Sequence, residues 1–266
     1  MDYEHFIPPM YASPHAWTTP GVHVLYISTP SIDPVNYTVK NGAGAVVQSG
    51  TVSNANPATY SMNGYGSELL FNKATLNSVK TARGLHIEAD EKVYCNVRVR
   101  SNSNSQAGSL TTKGRQALGK SFRIGHYFNA QAYNQWWMPP EIANKSSFVG
   151  VMATEDGTTV TYDLTWKKPK LEGNSPENTN STFDITLDKG ETYVIAIHNQ
   201  KHANNVGKGM IGSLISSNKP IAVNCGSWGG NRRDDNTVDI GIDQIVPTSK
   251  LGTEYIAVRG ASNNNI

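Results

Sequence analysis

The sequence lacks several features that define common protein classes. No run reaches the roughly 18 apolar residues that a transmembrane helix needs, and residues 1–10 have neither the basic nor the apolar region of a signal peptide. Only 17% of the residues are charged, and 23 Lys and Arg against 21 Asp and Glu give a net charge of +2. Such a balance creates no strong field for polyanions. We therefore expect no membrane insertion and no nucleic-acid partner.

Cysteine is also scarce, because the chain has only Cys95 and Cys225. Two cysteines without a CxxC spacing exclude a disulfide-built scaffold and a zinc pattern. Both cysteines fall in β-type runs, at nearly equivalent places in the two halves of the chain. Two interpretations remain open: buried free thiols, or a bridge between the halves, which would need Cα atoms closer than about 7 Å.

Long runs of helix-forming residues are missing as well, whereas 24 Gly and 13 Pro lie among Val, Ile, Thr and Tyr. This composition favours an all-β protein. Short β-type runs bounded by turn residues predict the strands, which are 22–28, 35–40, 45–50, 85–89, 93–100, 148–153, 158–164, 183–187, 192–198, 211–216, 221–225 and 255–259. Asn41-Gly42, Asp156-Gly157 and Lys189-Gly190 suit tight reversals between antiparallel strands.

Three blocks of the first half recur in the same order in the second half. The matched blocks are residues 26–29 with Val35 and Tyr37 against 151–154 with Val160 and Tyr162, 84–93 against 212–221, and Gly108 with 118–122 against Gly241 with 251–255. The predicted fold is therefore all-β, with two tandem antiparallel β-sandwich-like modules related by internal duplication.

The repeat divides the chain into five predicted parts. They are an N-terminal extended segment at 1–19, the first module at 20–126, an aromatic linker at 127–145, the second module at 146–260 and a tail at 261–266.

Catalytic patterns are incomplete throughout the sequence. Residues 226–229 (Gly-Ser-Trp-Gly) come nearest to the G-x-S-x-G elbow of serine hydrolases but lack its pattern. His198 and His202 have the spacing of a zinc-binding pair, but no glutamate lies between them. A glycan hydrolase needs two carboxylates across a cleft, and nothing places the available ones together, which are Asp156, Asp163 and Glu191. We expect no enzymatic activity.

A group of aspartates provides the hard oxygen ligands that Ca²⁺ prefers. The group consists of Asp234, Asp235, Asp239 and Asp243. An EF-hand loop from Asp235 would need glycine where Ile240 stands, and Arg232 and Arg233 can neutralise the carboxylates. A solvated, self-paired loop and a calcium site are the two interpretations. No other cofactor is expected.

The linker concentrates aromatic residues, among them Tyr133, Trp136 and Trp137. Exposed aromatic side chains of this kind bind sugar rings or anchor protein partners. Buried side chains would instead fill the groove between the modules and fix their orientation. The sequence leaves both interpretations open.

Several of these blocks resemble a known family. Residues 148–160, 190–193, 217–223, 239–247 and 252–255 resemble the N-terminal domain of the IgGFc-binding protein family. Residues 4–10, 25–30 and 106–120 are similar to its bacterial branch, which includes gliding-motility surface adhesins of the Bacteroidota.

The resemblance implies a non-enzymatic cell-adhesion or ligand-binding module of a large secreted protein at the cell surface. Its expected partners are a surface polysaccharide or protein and other domains of a longer parent chain. A structural or assembly module without a soluble ligand is the alternative. The resemblance implies no defined set of ligand residues.

Overall fold

The computed structural model describes residues 1–12, 19–103, 106–125, 146–165, 169, 171–173, 181–198, 210–230 and 239–254. In these residues the secondary structure consists of β-strands and short 3-10 turns. None of the helical segments in this part of the chain has the length and hydropathy needed to cross a membrane.

The first half of the chain forms one seven-stranded sheet and a small two-stranded pair. Its strands are β1 (Asp2–Ile7), β2 (Met10–Tyr11), β3 (Pro20–Ser28), β4 (Val35–Asn41), β5 (Val46–Val52), β6 (Ala58–Asn63), β7 (Leu70–Phe71), β8 (Leu85–Ser101) and β9 (Ala107–Thr111). The order in the sheet is β5-β4-β8-β3-β6, and β1 and β9 also pair with the long strand β8. The small pair joins β2 and β7 in parallel.

The second half forms another seven-stranded sheet. Its strands are β10 (Gly119–Arg123), β11 (Ser146–Ala153), β12 (Thr158–Asp163), β13 (Thr182–Leu187), β14 (Thr192–His198), β15 (Leu214–Gly230) and β16 (Asp239–Gln244). The order is β13-β12-β15-β11-β14, with β10 and β16 also paired to β15. All pairings in both large sheets are antiparallel.

The two sheets have the same strand order, element for element, which confirms the predicted all-β class with two β modules. Their registers also agree: Gly108 lies opposite Val99 on β8, and Gly241 lies opposite Ser227 on β15. Each long strand follows a glycine in the left-handed region, Gly84 at φ 84° and Gly212 at φ 83°. Only glycine adopts this conformation without strain, so the same turn chemistry begins the long strand in both copies.

The repeat in the sheets begins earlier than the sequence blocks. β1 pairs with the first sheet and β10 with the second, at matching positions on β8 and β15. Each copy thus includes the strand that precedes the predicted ranges 20–126 and 146–260. As domain boundaries, those ranges stay a prediction.

The modules pack with the first sheet against one side of the second. One apolar cluster fills the second module, including Val149, Val223 and Ile215. The other cluster joins the first module's core to Phe148 and Trp228, which point from the opposite side of the second sheet. Because alternate residues of β11 enter different clusters, this strand is buried on both sides.

The N-terminal segment adds polar contacts to the joint between the modules. The Asn224 side chain donates a hydrogen bond to the Pro8 carbonyl at 2.6 Å. A Cβ added to Gly150 would lie 2.1 Å from the Pro9 carbonyl oxygen, so the backbones touch there. The Tyr11 hydroxyl donates to Glu172 on the far side of the joint. Residues 8–11 therefore act as a buried connector between the modules.

Candidate functional site

The two cysteines lie in separate cores. Cys95 is buried with the first module's cluster and Cys225 with the second module's cluster, and both are free thiols. Burial raises the pKa of each thiol to about 12. A thiol that stays protonated is a poor nucleophile and metal ligand, so the structure favours the interpretation of buried, unreactive cysteines.

The candidate catalytic side chains have structural partners. The Ser227 hydroxyl is buried against the Ser147 hydroxyl at 2.9 Å. Asp156 accepts a hydrogen bond from the Lys189 backbone at 2.9 Å, and Glu191 accepts one from the Asp188 backbone at 2.8 Å. These carboxylates order turns. His202 and the side chain of His198 lie outside the described residues, and the absence of enzymatic activity stays a prediction.

Two of the four candidate calcium ligands lie on β16. The Asp239 carboxylate accepts the Ala107 and Ile240 amides at 2.7 and 2.9 Å, and the Asp243 carboxylate pairs with Lys113 at 2.6 Å. Because a strand rises about 3.3 Å per residue, their Cα atoms are separated by roughly 13 Å. The structure does not bring these two carboxylates together. Asp234 and Asp235 lie outside the described residues, and the calcium site stays a prediction.

A different group of metal-ligand side chains lies beside β1. Glu4, His86 and Glu88 place one ligand atom each within 4.8 Å of one another. The His86 Nε2 lies 2.9 Å from the Glu4 carboxylate and 3.8 Å from that of Glu88, and the Phe6 ring stacks on the imidazole at 4.2 Å. Imidazole and carboxylates are ligands that suit Zn²⁺.

Lys40 changes the electrostatics of this group because it forms an ion pair with Glu88. The hydrogen bond from Lys40 holds the pKa of Glu88 below its usual value. Burial holds the pKa of His86 down, although Glu4 opposes that shift. The group is thus already stabilised by its own pairs, and a metal ion would have to displace Lys40 to use both Glu88 oxygens.

The candidate binding surface is the solvent side of the first sheet, which we call the outer face. It consists of Val22, Val24, Tyr26, Ser28, Thr59, Ser61, Asn63, Tyr94, Asn96, Arg98, Arg100, Ala107, Ser109 and Thr111, from β3, β6, β8 and β9. None of these residues is acidic. Tyr94 is 48% exposed and Tyr26 is 37% exposed.

The register of the strands arranges the outer face in rows. Tyr26 lies beside Asn96, and Arg98 lies beside Val24 in the next row. The Arg98 guanidinium stands over the Tyr26 ring, 5.1 Å from its centroid, in a cation–π contact. The Asn96 side chain donates to the Thr111 hydroxyl at 2.9 Å. Arginine, aromatic and hydroxyl groups therefore alternate over neighbouring strands.

A further aromatic and basic group continues the surface at the β1 edge. The Tyr3 ring lies 5.9 Å from the Lys92 ammonium and 5.8 Å from the Arg115 guanidinium. Asp2 accepts a hydrogen bond from Arg115 at 2.9 Å, which leaves Lys92 as the uncompensated cation of this group in the described residues. Lys92 thus adds one cation beyond Tyr94, next to the exposed acids Asp90 and Glu91.

The corresponding face of the second module is buried. Gly150 pairs with Asn224 as Tyr26 pairs with Asn96, which fixes the equivalence of the two faces. The sequence match of Tyr26 to Val151 is therefore wrong by one residue. The equivalent residues are Phe148, Gly150, Met152, Ala222, Asn224, Gly226 and Trp228, all of them buried. They are mostly apolar or small, and the first module covers them. The same face of one repeated unit is closed in the second copy and open in the first.

Comparison with known proteins adds the family. Residues 107–266, more than half of the chain, match the model of the IgGFc binding protein family. The chain belongs to this family. A search of the curated proteins finds no match. The matched range holds β9 to β16, that is, the second module and the last strand of the first, so the first module is related to it through the shared topology.

Sequence reasoning found the family and missed the outer face. Tyr133, Trp136 and Trp137 lie outside the described residues, and their role in ligand binding stays a prediction. The missed residues had a signal in the sequence: residues 94–100 alternate between buried positions and polar or aromatic ones, and no acid occurs among them. What the sequence could not show is that the four strands carrying these residues are neighbours.

Proposed function

We propose that this protein is a non-enzymatic ligand-binding module of an extracellular surface protein, and that the outer face is its contact surface. The observation that carries the proposal is the difference between the two copies. A face that one copy buries under apolar contacts is open, polar and basic in the other. Exposed tyrosines and arginines on a rigid sheet are the residue types that dominate binding surfaces.

Membership of the family supports a binding function outside the cell, because the family is described by the binding of an immunoglobulin region. For this chain the ligand is a protein or a polysaccharide at a surface. The resemblance of residues 4–10, 25–30 and 106–120 to the bacterial branch favours the role of an adhesin, with other domains of a longer parent chain as neighbours.

A structural or assembly function is the second candidate, and one observation favours it. The two modules already stack, because the first module's core covers the side of the second sheet that carries Phe148 and Trp228. Repeated modules that bury a face against their neighbour can build a long, stiff protein. In this case the outer face would have no soluble ligand.

The experiment that tests the proposal is an array of glycans and surface proteins probed with the purified chain, first with Ca²⁺ and then with a chelator. Reproducible binding to a defined ligand is the expected result. Loss of binding with the chelator would support the calcium prediction for the Asp234 to Asp243 region. A folded protein that binds nothing, but self-associates, would overturn the proposal in favour of the assembly module.

A variant separates the linker from the outer face. With Trp136→Ala and Trp137→Ala combined, unchanged binding by a folded protein would remove the linker aromatics from the ligand site. A clear loss would place them in it. Thermal unfolding of the variant controls for a structural role. If the two tryptophans hold the modules together, replacing them with alanine should lower the midpoint of thermal unfolding.

A further inference from the structure

We propose that the ligand of the outer face is an anionic polysaccharide, one that carries carboxylate or sulfate groups on its sugar rings. This inference rests on the proposed function and names the ligand class. It combines three properties of the same surface: its charge, its mixture of aromatic and hydroxyl groups, and its contrast with the equivalent face of the second module.

The charge of the outer face is of one sign. Arg98 and Arg100 are exposed and lie two residues apart on β8, so both guanidinium groups point to the same side of the sheet. Lys92 follows Tyr94 in this row on the same strand, and beyond it the row continues with the acidic residues Asp90 and Glu88. A guanidinium forms paired hydrogen bonds with a carboxylate or sulfate. Because none of the outer-face residues is acidic, an anionic partner gains from both Arg98 and Arg100.

The remaining groups suit a sugar chain better than a protein surface. Protein hot spots are aromatic or arginine anchors that enter closed, dry pockets. On the outer face the Tyr94 ring is instead open, the Tyr26 ring lies partly exposed beneath Arg98, and short polar side chains such as Thr59, Ser109 and Thr111 lie on the neighbouring strands. Aromatic rings contact the C–H faces of sugars, while hydroxyl and amide groups exchange hydrogen bonds with sugar hydroxyls.

The second module shows what this face looks like when protein covers it. Met152 and Trp228 stand there in place of Ser28 and Arg100, and both are buried. Glycine at position 150 lets the Pro9 backbone approach, whereas the equivalent Tyr26 would block such an approach. The outer face thus lacks the residues that the same fold uses to bind another module. A second copy of this face would also be repelled by its like charge.

The test measures the affinity of the full chain for five probes by biolayer interferometry. The probes are heparin and polygalacturonate as anionic polysaccharides, dextran as a neutral one, polyglutamate as an acidic peptide and duplex DNA as a non-sugar polyanion. We expect binding to one or both anionic polysaccharides, weaker binding to polyglutamate and DNA, and none to dextran. Raising the salt to about 0.5 M should weaken the binding, because exposed charges are then screened.

Two variants locate the site. Arg98→Gln combined with Arg100→Gln should raise the Kd by at least about tenfold, and Tyr26→Ala should raise it several-fold. Lys120→Gln combined with Lys250→Gln removes the same charge from exposed positions of the second module, and should change the Kd less than twofold. Circular dichroism and thermal unfolding confirm that each variant is folded.

Several outcomes would overturn the inference. Equal losses in the arginine and lysine variants would show attraction by net charge alone. Stronger binding to polyglutamate would show an acidic protein as partner, and equal binding to DNA would show no selectivity for sugars. Array binding that is lost in the Tyr26→Ala variant, with no affinity for either polysaccharide, would overturn the ligand class and leave the proposed function standing. A folded chain without any ligand on the array would overturn both.

Discussion

A buried histidine makes the stability of this protein sensitive to mild acid. His23 lies on β3 with no exposed surface, and neither ring nitrogen has a hydrogen-bond partner in the part of the chain that the structure describes. Its neighbours on the sheet are Met62 and Val99. Its ring lies edge to face with the Trp228 ring, and the two ring centroids are 6.3 Å apart. Burial alone lowers the pKa of His23 from 6.5 to about 4.

The sign of the effect follows from the two pKa values. The folded protein holds this histidine neutral down to about pH 4, whereas the unfolded chain protonates it from pH 6.5 downward. Protonation therefore favours the unfolded chain, and stability falls as the pH decreases between these values. At pH 5 the loss relative to pH 8 is about 2 kcal/mol, and below pH 4 it approaches about 3 kcal/mol.

The contribution of His23 to the free energy of unfolding can be measured by urea unfolding of the natural chain and of His23→Leu, at pH 8 and at pH 5. Leucine fills a similar volume and removes both nitrogens, so the variant should be at least as stable at pH 8. Other titrating groups, such as His5 and His86, contribute equally to both proteins and cancel. The natural chain should lose about 2 kcal/mol more than the variant. Equal losses in the two proteins would refute the reasoning.

Three further predictions concern the joint and the cores. Gly150→Ala should lower the free energy of unfolding by at least about 1 kcal/mol, since the new Cβ would lie 2.1 Å from a carbonyl oxygen of the connector; an unchanged urea midpoint would contradict the close contact. Asn224→Ala leaves a buried carbonyl without its donor and should cost about 1–3 kcal/mol in the same assay, whereas a loss below the error would mean that water replaces the amide. Cys95 and Cys225 should react with a thiol reagent only after denaturant is added, because both are buried and their pKa is about 12; rapid labelling of the native protein would argue against this burial.

The regular part of the fold could be predicted because it depends on local patterns. Alternating side chains and turn glycines indicated most of the inner strands, and the repeated blocks indicated two modules. The sequence suggested two strands, at 85–89 and 93–100, where the structure has the single strand β8. The charged residues 90–92 interrupt the alternation, but they are exposed on a strand whose pairing continues on both sides of them.

Short and edge strands were missed for a related reason. β1, β6, β9, β10 and β16 have weak local patterns, and each is held by its partner strand. Strand propensity is largely a measure of such packing and not of the backbone alone. The N-terminal segment also shows the role of packing: Pro8 and Pro9 lie between β1 and β2, outside both strands, and are buried between the modules.

The sequence by itself determined the all-β class and the duplication, because composition, period and turn residues act within a few neighbouring positions, and its blocks indicated the family. Only the tertiary structure decided which side of each sheet is covered. Tyr26 and Gly150 occupy equivalent places in two copies of one fold, and the alternation of residues 94–100 does not show which strands lie beside them or whether another module covers them. That difference arises from the packing of the first module on the second, which depends on residues far apart in the chain.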